Sequence, residues 1–210
     1  LILKRIFDLI FSILGMIVLL PIFIIIGIIV KFDSKGPIFF KQNRIGLNGK
    51  FFKIIKFRSM IEGAEFIGTG IFNYEDDPRE TKIGKFLRNY SLDELPQIYN
   101  IFLGDMSFVG PRPPVTYELG NFEDFNAELK KRFTMKPGVT GYAQIKGRNN
   151  LNWDQKIHFD NQYIDDFKKW GILLDIKILI ITFYKILVKE GNYELLENAK
   201  KDRARLNKTE

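Results

Sequence analysis

Cysteine is absent from the 210-residue chain, and histidine occurs once, as His158. These two scarcities remove whole classes of chemistry. Without thiols there is no disulfide, no thiolate nucleophile and no thiolate-bound zinc, and without clustered imidazoles a histidine-based metal centre has no ligands. Any metal the chain uses is then a hard, oxygen-bound cation such as Mg²⁺. A G-x-S-x-G nucleophile turn is also missing, so a hydrolase built on His158 has no nucleophile, and His158 reads as an ordinary helix residue. Beyond Lys31 there is no repeat, no low-complexity linker and no second long apolar span. Nucleophilic catalysis, if present, falls to a hydroxyl, a lysine or a carboxylate.

What the chain does have is an apolar block at its start. No charged residue occurs from Leu9 to Val30. As a helix this run would reach ~33 Å at ~1.5 Å per residue, close to the ~30 Å hydrocarbon thickness of a bilayer. It is longer than the apolar core of a cleavable signal, and no small-x-small site follows it. The chain is therefore expected to be membrane-anchored. Pro21 sits mid-run, where it removes a hydrogen bond and disfavours a straight helix. Basic residues flank both ends, Lys4 and Arg5 before and Lys31 and Lys35 after, which gives little orientation bias. On physics alone, a straight span and a helix that bends at Pro21 and returns to its own side both remain open.

Three regions are expected: an anchor over 1–31, a main domain over 32–190, and a charged tail over 191–210. Within the main domain, residues 38–41 and 51–57 read as short strands joined through Gly46 and Gly49. Helices are expected over 81–88 and over 91–102, the second stopped by Gly104, with a charged, solvent-facing helix over 116–132. Residues 137–141 read as a turn. Asn152 should cap a helix running to about Phe167, with Gln155 as its capping-box partner. Residues 173–189 are apolar on most of their circumference, with Lys177, Lys185 and Lys189 along one side. This segment is either a core helix or an interfacial one, and the anchor favours the interfacial reading.

The net charge of +7 asks for an anionic partner. Asp93-Glu94 is the most suggestive acidic pair. It has two readings: Ser91 and Glu94 have capping-box spacing, while adjacent carboxylates can also divide the work of holding a cation and attacking phosphorus. Lys56, Arg58, Arg88, Arg112 and Arg148 are spread as a phosphate site would need. Arg112 is the strongest of them, since prolines on either side stiffen its planar donor fork. A rival reading is a non-catalytic tethered module whose basic surface holds anionic lipid or nucleic acid. It leaves the acidic pair and the proline-locked arginine without a role, and the aromatics interleaved with arginine that nucleic-acid modules favour are lacking.

The runs Lys56-Phe57-Arg58-Ser59-Met60, Ser91-Leu92-Asp93-Glu94-Leu95-Pro96-Gln97, Gly104 through Pro113, and Pro137-Gly138-Val139-Thr140-Gly141 resemble the bacterial sugar transferases, and more narrowly the small monotopic phosphoglycosyl transferases. Lys4-Arg5-x-x-Asp8 ahead of a proline-interrupted apolar helix is similar to theirs. The resemblance implies a mostly helical α+β monotopic protein with a re-entrant anchor turning at Pro21 and amphipathic helices at the membrane surface. It implies transfer of a sugar phosphate from a UDP-sugar to polyprenol phosphate with release of UMP, at the cytoplasmic face of a bacterial inner membrane, and no nucleic-acid partner. Asp93 is the implied nucleophile, Glu94 the implied Mg²⁺ ligand, and Arg112 between Pro111 and Pro113 the implied nucleotide or phosphate contact. Two features depart from the pattern: Leu20 precedes Pro21 where some relatives have serine, and residues 63–77 match no motif. No further apolar span precedes the anchor in this sequence, which points to the smaller members.

Overall fold

Capping chemistry sets the frame of the computed structural model, which describes residues 1–70, 72, 74 and 76–188. The tail expected at 191–210 and Lys189 lie outside the described residues. Thr81 accepts a hydrogen bond from the Gly84 N–H and starts the helix Lys82–Asn89, labelled α2 below. Asn152 and Gln155 form the full reciprocal capping box ahead of Trp153–Trp170.

The chain begins with helix α1 (Ile2–Asp33), followed by an antiparallel hairpin of β1 (Phe39–Ile45) and β2 (Phe51–Phe57). Next come α2, α3 (Gln97–Leu103), β3 (Ser107–Val109), α4 (Ala127–Lys131), β4 (Gly138–Thr140) and α5 (Tyr142–Lys146). Two longer helices close the described chain, α6 (Trp153–Trp170) and α7 (Ile172–Leu187). The fold is thus mostly helical α+β, with two small two-stranded sheets among the described residues.

α1 is long and apolar enough to cross a membrane. Its burial pattern is the reverse of an ordinary surface helix. Lys4, Asp8 and Ser12 are buried, and Ile26, Gly27 and Val30 continue the same stripe at helical spacing. The opposite face, including Leu14, Ile17, Val18, Ile24, Ile25 and Ile28, is exposed. Pro21 lies inside the helix, which continues past it to Asp33. Packing on both sides of the proline holds the turns there. Gly15 sits so close to Ile98 that a Cβ would lie 2.4 Å from its Cδ1, and the Phe23 and Phe57 rings meet edge to face at 5.6 Å.

Both ends of α1 are fastened to the same body. At the start, Lys4 pairs with Asp175 of α7. Arg5 donates to the Ile101 and Phe102 carbonyls at the end of α3, and Asp8 accepts from Ser107 Oγ and Phe108 N. At the finish, Arg58 donates to the Val30 and Ser34 carbonyls, and Asp33 accepts from Ile83 N of α2.

Three expectations are corrected. The stretch 116–132 is not one helix. Gly120 (φ +86°) and the caps Asn121 and Asn126 divide it, and Leu119, Phe125 and Leu129 are buried with Phe133, Trp153 and Ile157 instead of facing solvent. The expected turn at 137–141 contains β4, which pairs parallel with β3. Residues 91–102 are divided too: a 3₁₀ turn at Leu92–Glu94 precedes α3, which Gly104 ends at φ +92°. α7 has a core-facing side and an exposed apolar side. Leu174 and Ile178 join the core with Tyr163 and Val109, while Leu173, Ile180, Phe183, Tyr184 and Leu187 are exposed.

Candidate active site

The sequence around Asp93 is shaped by a residue in an unusual backbone state. Ser91 is left-handed (φ 55°, ψ 22°), which a side chain adopts only at some cost. It therefore does not form the expected capping box with Glu94, and its Oγ instead accepts a hydrogen bond from Arg148 Nη2 at 2.6 Å. Arg148 is itself left-handed (φ 53°). The oriented N–H groups expected from a helix starting at Ser91 are replaced by a single 3₁₀ turn. That turn places the two carboxylates in different surroundings.

Glu94 is the occupied one. Lys56 Nζ and Arg112 Nη2 each reach its Oε1 at 2.7 Å, while its Oε2 is only 3.5 Å from Arg112 Nη1. Burial alone would raise its carboxyl, but Arg112 and then Lys56 outweigh burial and hold it well below the usual carboxylate range. Asp93 is 4% exposed and accepts no hydrogen bond from the described residues. Burial pushes its carboxyl up, Lys56 pulls it back, and the Glu94 charge adds to the rise. Burial lowers the Lys56 ammonium despite Glu94 beside it, whereas Glu94 raises the Arg112 guanidinium.

Arg112 owes its position to a loop whose carbonyls are all held. Gly138 N donates to Pro111 O at 2.9 Å, and Arg132 Nη2 to Arg112 O at 2.7 Å. Arg44 Nη1 donates to Pro113 O at 2.9 Å, and Ile45 N to Pro114 O at 3.1 Å. Three prolines fix φ along the same run. Backbone-to-backbone approach makes this packing possible, because a Cβ on Gly110 would lie 2.4 Å from Lys136 O, and one on Gly138 2.1 Å from Gly110 N. Pro111 and Pro113 are buried and stiffen the loop, and Pro113 also lines the cavity.

Beside these groups lies a cavity of about 780 Å³, the scale of a nucleotide-sized ligand, whose lining includes Asp93 and Arg112 but neither Glu94 nor Pro111. Lys56, Arg58, Arg88, Asp93, Arg112, Pro113 and Arg148 all line it. Arg88 pairs with Glu80 at 2.9 Å, and Arg58 spends one nitrogen on the carbonyls ending α1. The structure therefore gathers Lys56, Arg88, Arg112 and Arg148 around the acidic pair, while Arg58 is committed to the end of α1. Lys4, Arg5, Asp8 and Pro21 lie on α1, outside the cavity lining. His158 is exposed on α6. Sequence reading missed Arg132 and Asp160, a pair 1% exposed on each side that carries the Arg112 carbonyl. Arg132 sits among the charges of 128–132, so nothing in the local sequence marks it as buried.

Among the described residues, no cluster of three acidic or imidazole groups could hold a metal by itself. The Asp93-Glu94 pair with Glu94 Oε2 lightly engaged nonetheless suits a hard cation completed by phosphate oxygens.

Residues 1–189 match the family model described as bacterial sugar transferase. The chain is 44% identical over 202 residues to the galactosyl transferase CpsE of Streptococcus agalactiae, covering 91% of this chain and 43% of that protein. It is 41% identical over 204 residues to the exopolysaccharide production protein ExoY of Sinorhizobium fredii, covering 90% and 88%. It is 37% identical over 205 residues to the undecaprenyl-phosphate galactose phosphotransferase of Salmonella typhimurium, covering 91% and 42%. The chain thus spans less than half of the first and third relatives and most of the second.

Proposed function

The chain belongs to the bacterial sugar transferase family, and from that membership we propose that it moves a sugar 1-phosphate from a UDP-sugar to undecaprenyl phosphate, yielding a polyprenyl diphosphosugar and UMP. The observation that carries the mechanism is the contrast between the two adjacent carboxylates, Glu94 neutralised by two cations and Asp93 left without a donor in the cavity wall. An Asp93 oxygen attacks the β-phosphorus of the UDP-sugar. The bond from that phosphorus to the bridging oxygen breaks, and the electron pair leaves with UMP. A phosphate oxygen of the polyprenol phosphate then attacks the same phosphorus, and the Asp93 carboxylate departs unchanged. Arg112, Arg148 and Lys56 offset the repulsion between diphosphate and carboxylates. Mg²⁺, held by Glu94, would supply further neutralisation of the diphosphate when bound. A basic concavity around a buried acidic pair has no use in a module that merely holds nucleic acid or lipid.

A covalent route suits the setting, because the donor comes from water and the acceptor from lipid, and one small site can meet them in turn. The test is to incubate the protein with UDP-sugar labelled in its β-phosphate and no polyprenol phosphate. Label should stay on the protein, UMP should be released in a burst, and Asp93→Asn should show neither. A kinetic pattern that requires both substrates bound together, with no trapped label, overturns the covalent step. Excess chelator should stop turnover, and full activity in chelator rules out the metal.

The anchor follows the same reading. α1 lies along its own domain with both ends bonded to it, which supports an anchor that enters and leaves the bilayer on the cytoplasmic side. The apolar outer faces of α1 and α7 then meet lipid together. The chain has no native cysteine, so Leu1→Cys and Phe32→Cys can be labelled singly in membranes of known orientation. Both should react from the cytoplasmic side, and reaction of either one from the opposite side alone refutes this topology.

A further inference from the structure

The cavity has a second polar wall that the phosphate chemistry does not use. Gln144, on α5, has neither its Oε1 nor its Nε2 hydrogen-bonded among the described residues. Arg132 and Asp160 pair through Asp160 Oδ2, at 3.1 Å to Nε and 2.7 Å to Nη2, which leaves Arg132 Nη1 and Asp160 Oδ1 buried without hydrogen-bond partners among the described residues. All three side chains line the cavity that Asp93 lines, and so does Trp153, whose ring lies 4.9 Å from the Arg132 guanidinium carbon. Buried polar atoms are nearly always satisfied, so a group of them in one cavity wall calls for a partner that the chain does not supply.

The chemistry of that partner follows from the inventory. The unmet atoms are two donors, Gln144 Nε2 and Arg132 Nη1, and two acceptors, Gln144 Oε1 and Asp160 Oδ1. A phosphate only accepts hydrogen bonds when ionised and would face the Asp160 carboxylate. The Arg132–Asp160 pair is neutral overall, unlike the cationic group at Glu94. A hydroxyl both donates and accepts, and two neighbouring hydroxyls satisfy all four atoms. An aromatic ring beside planar polar side chains also suits the apolar C–H face of a sugar ring.

We propose that Gln144, with Arg132 and Asp160, forms a subsite that reads adjacent hydroxyls of a sugar ring in the donor. This inference rests on the UDP-sugar reading above. The ring is either the transferred hexose or the ribose of the nucleotide, which share this chemistry.

Arg132 also holds the Arg112 carbonyl, so its variants would disturb the proline loop, and the test is placed on Gln144. UMP release is measured for wild type, Gln144→Ala and Gln144→Glu with UDP-glucose, UDP-galactose and UDP-N-acetylglucosamine, alongside inhibition by UMP. For a hexose subsite, Gln144→Ala should lower kcat/KM for the preferred donor by roughly 10-fold and compress its preference over the other donors. UMP inhibition should stay within about twofold of wild type. If ribose is the ring held, kcat/KM falls by a similar factor for all three donors and UMP inhibition weakens with it. Gln144→Glu keeps the acceptor and loses the donor, so it should fall short of rescue. A folded Gln144→Ala whose preference, kcat/KM and UMP inhibition all match wild type overturns the subsite while leaving the proposed reaction standing. Wild type that releases no UMP from any UDP-sugar overturns that reaction and the subsite with it.

Discussion

Two buried clusters of charge differ in one respect that separates scaffold from site. Lys4 and Asp175 join α1 to α7 with side chains 6% and 2% exposed, and Tyr163 adds a donor to Asp175 at 2.8 Å. One cation meets one anion, and the neighbouring hydroxyl completes the shell. At Glu94 the match is incomplete: two cations converge on one oxygen, Arg148 stands at Ser91, and Asp93 accepts no hydrogen bond from the described residues. The Lys4–Asp175 cluster is the more deeply buried, whereas the Arg112 side chain remains 41% exposed. The closed cluster is satisfied from within the chain, whereas the open one holds positive charge in excess and a carboxylate in reserve, which is what an arriving diphosphate requires.

The comparison breaks most visibly if Asp93 proves to be structural. Asp93→Asn should lower turnover by at least ~10³-fold, as loss of a covalent nucleophile does, while the unfolding midpoint in detergent stays within about 2 °C of wild type. Turnover near the wild-type rate would return the acidic pair to a local structural role. Lys4→Ala tests the other cluster. It strands a buried carboxylate and should cost about 3–5 kcal/mol of stability by denaturant titration in micelles, whereas the double variant Lys4→Met, Asp175→Leu should recover most of it. Equal losses in the single and double variants would show that the pair itself is not the source.

Arg112→Lys gives a smaller effect and sharpens the picture of the open cluster. Charge remains but the planar fork is lost, and the donor kcat/KM should drop by roughly tenfold. An unchanged value would move phosphate recognition to Arg148 and Lys56. The mildest effect concerns the loop beside the cavity, where Arg79 binds the Ala64, Ile67 and Gly70 carbonyls and pairs with Asp77. Burial would raise the Asp77 carboxyl, but its hydrogen bonds from Arg79 outweigh burial and hold it below the ordinary value. A depressed carboxyl stabilises the fold above its unfolded value near pH 4 and loses that contribution as pH falls through the folded value. Amide exchange at residues 61–70 should therefore quicken below about pH 4 and be already fast at neutral pH in Asp77→Asn. Identical acid behaviour in that variant would detach the loop from this pair.

Local chemistry was the legible part of the sequence. Asn152 with Gln155, Thr81 and Gly104 announce helix ends because a cap depends on neighbours a few residues away. Asp93, Glu94 and Arg112 stood out because their surroundings in sequence, a doublet and flanking prolines, limit what they can do. Long-range pairing was hidden. β3 and β4 are three-residue strands with no periodicity to detect, and they find one another through glycines that permit backbone contact. The stretch 116–132 carried enough charge to resemble a surface helix, yet Phe125, Leu129 and Arg132 turn inward once Gly120 and Asn126 interrupt it. Ser91 misled for the same reason. Its spacing to Glu94 suits a cap, and only the distant Arg148 draws its hydroxyl elsewhere.

The bond between Lys4 and Asp175 spans 171 positions, and that span imposes an order in time. At roughly 5–20 residues per second, the ribosome makes the partner of Lys4 some 10–30 s after Lys4 itself. During that interval Asp8 can already meet Ser107 and Phe108, while the inward-facing Lys4 has no permanent counterpart. The Lys4–Asp175 clasp is thus among the last bonds of the fold to form, and a chain truncated before α7 would still hold its first helix through Arg5, Asp8 and Asp33.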